Sequence, residues 1–283
     1  MKTVKIIGVP EHFNYAWLMA IDENVFETRG INLEWTDVPE GTGKMCAMLK
    51  EGQADLAIIL TEGIVKSITE GNPVKIVQEY IATPLQWGIH VAADSEFQNM
   101  ADLQNATVAI SRFGSGSHLM SYVNAQSNGW DVSSLNFHVV NTLDGAIEAL
   151  KSQTADYFMW EHFTTKPIVD SGIFRRIADC PTPWPCFVIA ATESFLNEDR
   201  EILQHILEVI NLYTAEFKHI PSIDRTISNK YEQRIEDVRE WLGMTEWSQS
   251  QISIGTIIVV QDYLFKLKLI RNKLDIDKLI TNL

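Results

Sequence analysis

Cysteine is scarce. The 283 residues include three, Cys46, Cys180 and Cys186. That is too few and too scattered for a disulfide framework or a zinc site, so free thiols are expected, with a Cys180–Cys186 approach across a Pro-rich loop as the alternative. Long hydrophobic runs are missing too: none approaches the roughly 20 residues a membrane span needs, and no membrane insertion is expected. There is no surplus of positive charge, with 23 Lys and Arg against 37 Asp and Glu and a formal charge of -14. This excludes the basic face that nucleic acid or an anionic membrane surface would require. No basic segment followed by an apolar core opens the chain; strand-like residues begin at Lys2. As it stands the chain reads as cytoplasmic, with a periplasmic location as the alternative if a signal peptide was removed.

What remains is an ordinary globular composition, 46% hydrophobic and 21% charged, long enough for one or two domains. Val4 to Val9 reads as a strand ended by Pro10, and Phe13 to Phe26 carries apolar residues at helical spacing. Ile31 to Val38 alternates as a strand, Met45 to Glu51 is helical, and Asp55 to Leu60 is apolar enough to be buried on both faces. A helix from Thr61 to Gly71 and a strand from Val74 to Tyr80 follow. This βαβαβαβ order predicts a mainly parallel sheet with helices on both sides. After a strand at Gly88 to Ala92 the pattern restarts. Strands at Ala106 to Ile110, Asn136 to Val140 and Ala155 to Trp160 alternate with helices, the last ending near Gly172. Glu51-Gly52-Gln53-Ala54-Asp55 is echoed by Ser152-Gln153-Thr154-Ala155-Asp156. Pro181 to Pro185 breaks the pattern, Phe187 to Ala191 is again a strand, and helices fill the chain from Asn197 onward.

The stretch Ser111 to His118, Ser-Arg-Phe-Gly-Ser-Gly-Ser-His, joins an apolar strand to a helix. Glycine lets backbone approach a ligand, and Ser115 or Ser117 can cap the helix. The amides of that first turn and the helix dipole make a seat for an anionic or strongly polar group. The other reading is an ordinary capped strand-to-helix turn, since the spacing is not a P-loop.

Several short motifs occur in order: Phe26-x-x-x-Gly30-Ile31-x-Leu33, Gly52-Gln53-Ala54-Asp55-Leu56-Ala57, Asp102-Leu103 before Val108-Ala109-Ile110, the turn Ser115 to His118, Ala149-Leu150 before Ala155-Asp156, and Asn197 to Ile210. Through them essentially the whole chain resembles the type II periplasmic-binding-protein superfamily, in its nitrate/sulfonate/taurine-binding and thiamine-pyrimidine-synthase-like branch. The resemblance implies an α/β fold of two lobes, each a mainly parallel sheet flanked by helices. Lobe one would comprise residues 1–91 and 188–283, and lobe two residues 92–187, joined by two hinge crossings. It also implies closure on a small-molecule ligand at the carboxyl ends of the strands.

On that frame the expected ligand-binding residues of lobe one are Pro10, His12, Phe13, Tyr15, Thr42 and Glu62, with Gln86 and Trp87 beside the hinge. Those of lobe two are Arg112, Ser115, Gly116, Ser117, His118, Trp160, Glu161 and Trp184. His118, at a helix N-terminus, is expected to be neutral. Arg112 would clamp an anionic group or lie on the surface. Glu161 and Glu62 would bind an amine or ring N–H, or serve a structural hydrogen bond. Aromatic walls suit a flat or apolar molecule, although Trp184 would equally cap the core.

The alternative is an enzyme like the pyrimidine synthase, whose cofactor lysine and reactive histidine correspond by ungapped alignment to Ile59 and Gly63. Without an amine no Schiff base forms there, so that chemistry is not expected. No catalytic residue or cofactor is expected, and no metal, since a site would need several of His12, His90, His118, His162 and Glu161 to converge. The expected activity is binding of a polar, zwitterionic or heteroaromatic molecule. An ABC importer permease would be the partner if the protein is exported, and a cytosolic sensor or carrier role applies if it is not.

Overall fold

The computed structural model describes residues 1–281. Contacts divide the chain into two units, one of residues 1–83 and 184–283, the other of residues 84–183. The first unit begins with strands β1 (Lys2–Gly8), β2 (Ile31–Asp37), β3 (Leu56–Leu60) and β4 (Val74–Ile81). Helices α1 (Tyr15–Asp22), α2 (Thr42–Lys50) and α3 (Thr61–Thr69) alternate with them. The second unit holds β5 (Gln86–Ala92), β6 (Thr107–Ile110), β7 (Asn136–Val139), β8 (Tyr157–Glu161) and β9 (Phe174–Pro181). Its helices are α4 (Gly116–Ser127), α5 (Leu143–Lys151) and α6 (His162–Asp170). The chain then returns to the first unit with β10 (Phe187–Thr192), α7 (Glu193–Glu198), α8 (Arg200–Glu216), α9 (Ile223–Tyr231), α10 (Ile235–Met244) and α11 (Ile254–Lys266).

The two sheets have one plan. Their strand orders are β2-β1-β3-β10-β4 and β7-β6-β8-β5-β9. In the first, β1 is parallel to β2 and β3, while β10 runs antiparallel between β3 and β4. In the second, β6 is parallel to β7 and β8, and β5 runs antiparallel between β8 and β9. Each sheet is therefore mixed, with a single reversed strand. The reversed strand is in each case the first one after the chain enters or re-enters the unit.

Sequence explains the layering. Leu56 to Ile59 and Val188 to Ala191 have no exposed surface, as expected of central strands covered on both faces. Each such aliphatic side chain contributes about 1.5–3 kcal/mol on burial. In the second unit Ala109, Val140, Ala146, Ala149, Leu150, Ala155, Phe158 and Phe174 form the core. The echoed Ala-Asp motif has a shared job. Asp55 Oδ2 accepts from the Lys5 amide at 2.8 Å while its own amide donates to the Lys5 carbonyl. Asp156 does the same with Thr107, its Oδ2 accepting at 2.7 Å. Each aspartate thus clamps the start of one strand to its parallel neighbour.

Three differences from the spacing-based expectations are physical. The division falls at 83/84 and 183/184 rather than at 91/92 and 187/188, because β5 pairs with β8 and β9 and so belongs wholly to the second sheet. Strand β9 had no expectation at all. Its sequence, Phe-Arg-Arg-Ile-Ala-Asp-Cys-Pro, is that of a sheet edge, with charges on a half-solvated strand. Helix α1 covers only part of Phe13 to Phe26: a 3-10 turn at His12–Asn14 precedes it, and Asn24 in the left-handed region (φ 56) stops it.

Candidate functional site

In the second unit the parallel strands β6 and β8 end where the reversed β5 begins, so one sheet edge carries Gln86 and Trp87, the turn after β6, and Glu161 after β8. The turn is tightly self-bonded. Ser115 caps α4, its Oγ accepting from the His118 amide at 3.3 Å. Ser117 Oγ accepts from the Ser111 amide at 3.0 Å and lies 3.1 Å from Ser115 Oγ. Gly114, in the left-handed region (φ 81), donates its amide to His118 Nδ1 at 3.0 Å. Because Nδ1 accepts, the neutral ring carries its proton on Nε2. Desolvation holds the imidazole below its usual pKa, so it stays neutral. The Gly116 and Ser117 amides belong to the first helical turn and lack intrahelical acceptors. Arg112 is exposed. The octet contains no carboxylate, and its amides, guanidinium and imidazole N–H supply several donors beside the serine hydroxyls, which can also accept.

A collar that spacing had not singled out surrounds His118. Phe113, Tyr122 and Phe137 meet its ring edge-on, with centroids at 5.3, 5.0 and 4.8 Å. Tyr122 stands four residues beyond His118 on α4, a signal the sequence did hold. Phe137 comes from β7 and had no such signal. Glu161 caps α6, its Oε2 accepting from the Thr164 amide at 2.6 Å, and burial pushes its carboxyl above the usual range. Trp160 packs against the core of the unit and stacks on Phe158, and buried Trp87 meets it edge-on. These residues have packing or capping roles in addition to the edge position expected of them.

In the first unit the corresponding edge carries Pro10 to Tyr15 after β1, Thr42 after β2, Glu62 after β3 and Trp184 before β10. His12 and Phe13 are buried. The His12 ring lies 5.0 Å from Phe13 and 4.3 Å from Trp241, and burial pushes its pKa down to about 3. Tyr15 is half-buried against Phe217 and Tyr231, and Pro10 is exposed. Glu62 is 2% exposed, and its Oε2 accepts from the Trp184 indole N–H at 2.8 Å. Trp184, placed in lobe two by position, thus belongs to the first unit.

A family model described as Ca3427-like PBP matches residues 87–180, most of the second unit. Among solved structures, the Candida albicans CA3427 gene product is 24% identical with a TM-score of 0.89, covering 99% of this chain and 96% of that one. That protein defines a family with the generic periplasmic-binding-protein structural fold. The chain has the periplasmic-binding-protein fold. The alkanesulfonate-binding protein SsuA from Xanthomonas axonopodis pv. citri, bound to MOPS, shares it at 13% identity and a TM-score of 0.84, covering 100% of this chain and 99% of that one. So does a ligand-binding component of an ABC-type import system from Staphylococcus aureus, with zinc bound, at 13% identity, a TM-score of 0.77, and coverage of 100% and 97%. No curated protein sequence matches the chain.

Among the described residues no group of three or more His, Cys, Asp or Glu side chains is placed to hold a metal, and no helix is long and apolar enough to cross a membrane. The periplasmic-binding-protein fold also carries the synthase alternative, and here the local packing is informative. Ile59 is fully buried in β3 and offers no amine. A Cβ at Gly63 would lie 2.1 Å from Thr42 Cγ2, so position 63 has no room for a side chain unless Thr42 moves.

Proposed function

We propose that the protein binds a small polar ligand, zwitterionic or heteroaromatic, and that the turn Ser111 to His118 holds the ligand's acceptor group. The observation that carries this reading is the cluster of donors in that turn: the Gly116 and Ser117 amides, the Arg112 guanidinium and the Nε2–H of a neutral His118, with no carboxylate among them. The aromatic collar around His118 suits a flat or apolar ligand body. The kinship of fold with importer components supports binding rather than turnover. Delivery to an ABC importer permease is the role if the protein is exported, and carriage or sensing in the cytosol if it is not.

Native mass spectrometry of the purified protein for a co-purified molecule is the first test, followed by thermal-shift titration, because a ligand that binds only the folded state raises Tm. Zwitterions and heteroaromatic acids are expected to raise it, with Arg112→Ala weakening binding several-fold through loss of a charge-assisted contact. Strong shifts with sulfate or nitrate and none with these compounds would overturn the ligand class. Ligand-linked closure is part of the same proposal, read as a smaller radius of gyration in solution scattering once ligand is added; an unchanged radius at saturation counts against it.

A further inference from the structure

The first unit holds a polar group that the turn of the second does not use. Glu62 stands in the first turn of α3, and its carboxyl has two unlike oxygens. Oε2 accepts from the Trp184 indole. Oε1 is buried with no hydrogen-bond partner. The position is rigidly built. The Thr61 amide donates to the Cys186 carbonyl at 3.0 Å, and Thr61 Oγ1 donates to the Pro185 carbonyl at 2.6 Å, so the start of α3 clasps the segment that carries Trp184. Thr42 of α2 fits against the bare Gly63 next in sequence.

Among the described residues no cation acts on this carboxyl. The influences on it are burial, its own backbone amide and the Trp184 indole, and burial pushes it up to about 7. The elements packed against α3 are α2, α11, β3 and β10. Of these, α2 carries Lys44, Cys46 and Lys50, α11 carries Asp262, Tyr263 and Lys266, and neither strand carries an ionisable side chain. Tyr263 meets Trp184 edge-on at 5.5 Å, and Cys46 Sγ lies 3.8 Å from the Gly63 carbonyl. A buried acid with an idle oxygen is costly unless something donates to it. Such a group, at the carboxyl edge of a sheet, is a candidate recognition site.

We propose that Oε1 of Glu62 accepts a nitrogen-borne proton of the ligand, from an ammonium, an amidinium or a heteroaromatic ring N–H. The inference rests on the binding-protein reading above and names the kind of ligand group that the first unit would take. The Trp184 bond fixes the carboxyl so that Oε1 is the oxygen left to the ligand. Glu62→Gln is the diagnostic change, because the amide oxygen keeps the Trp184 bond and an N–H₂ donor replaces the vacant acceptor.

The test uses benzamidinium and imidazolium as donor probes and methanesulfonate as the acceptor probe, at pH 8, where Glu62 is ionised. Two readouts apply: Tm, and the nitrogen–proton NMR spectrum with the Trp184 indole resonance assigned through Trp184→Phe. At least one donor probe is expected to move that resonance in the wild type and to bind Glu62→Gln about tenfold or more weakly, the effect of losing a charged hydrogen bond. Donor probes that leave the Trp184 indole unmoved, or that bind Glu62→Gln as tightly as the wild type, overturn the proposal. Methanesulfonate acting on the Gly116 and Ser117 amides is the separate check on the turn. Its failure beside a Glu62-dependent benzamidinium response sinks the role of the turn and leaves Glu62 standing. The reverse pattern sinks Glu62 alone.

Discussion

The two units share one strand plan and differ in the chemistry placed at the same sheet edge. In the second unit the loop after the first parallel strand is a nest of amides and hydroxyls around a neutral histidine whose Nε2–H is left to donate. In the first unit the equivalent loop, Pro10 to Tyr15, turns inward. His12 and Phe13 are packed among aromatic rings, and the polar group at the edge is instead the carboxyl of Glu62, one strand further on. The turn of one edge is rich in donors, while the other edge presents a carboxyl oxygen without a partner. The scaffold therefore fixes where recognition occurs, while a few residues at helix starts fix its polarity.

That contrast can be sharpened by titration, since each unit buries a histidine that folding keeps neutral. His12 in the first unit falls to about 3 through desolvation, and His90 in the second to about 4 through desolvation and the nearby Arg176. Both folded values lie below the ordinary 6.5. As pH falls through 6.5 the unfolded chain takes up a proton that the fold refuses, and stability is lost until the folded pKa is reached. The largest effect is at His12: from pH 7 to 3 it removes as much as about 5 kcal/mol, against about 3 kcal/mol for His90. Urea titrations of His12→Phe and His90→Phe across this range should therefore flatten the acid limb, the first variant more than the second. Equal slopes in both variants and in the wild type would refute the assignment.

Glu62 acts in the opposite direction. Its folded pKa is raised, so its burial has no cost below about 4.5, and the cost grows as pH rises to about 7. Glu62→Gln should gain up to about 3 kcal/mol over the wild type at pH 8 and nothing at pH 4. No gain at pH 8 would mean that a cation already compensates the carboxyl.

The paired aspartates break the symmetry more gently. Asp156→Ala leaves a part-buried Thr107 amide without its acceptor and should cost about 2 kcal/mol, while Asp55→Ala, beside the exposed Lys5 amide, should cost below about 1 kcal/mol. Chemical denaturation of both variants distinguishes them. A similarly small effect is expected at the cap: Ser115→Ala should cost about 1 kcal/mol. Helix α3, capped by Leu60 with no side-chain bond, has no equivalent group to lose.

The alternation of strands and helices was legible because apolar runs bounded by Gly and polar tags report burial directly, and the Ala-Asp echo marked the clamp that both sheets use. Strand β9 was not legible: Arg175, Arg176 and Asp179 make an edge strand look like a loop. The positions at the sheet edges followed from the order of elements, but their contacts did not. Nothing local joins Glu62 to Trp184, 122 residues away. The donor tautomer of His118 depends on the direction of a single Gly114 amide, which no spacing reveals. Trp160 near the end of β8, and His12 and Phe13 in the turn after β1, turn their rings into the packing, because a position at a strand end fixes the backbone and leaves the side chain free to turn either way.

The reversed strands also set a schedule for synthesis. By the time residue 183 has left the ribosome, all five strands of the second sheet have been delivered, but the first sheet still lacks β10. Since β10 is inserted between β3 and β4, β4 has no strand neighbour in its own sheet until residues 187–192 arrive. The segment that begins the protein is thus the last to be completed. A nascent chain stalled before β10 would expose two apolar edges, β3 and β4, as targets for chaperones.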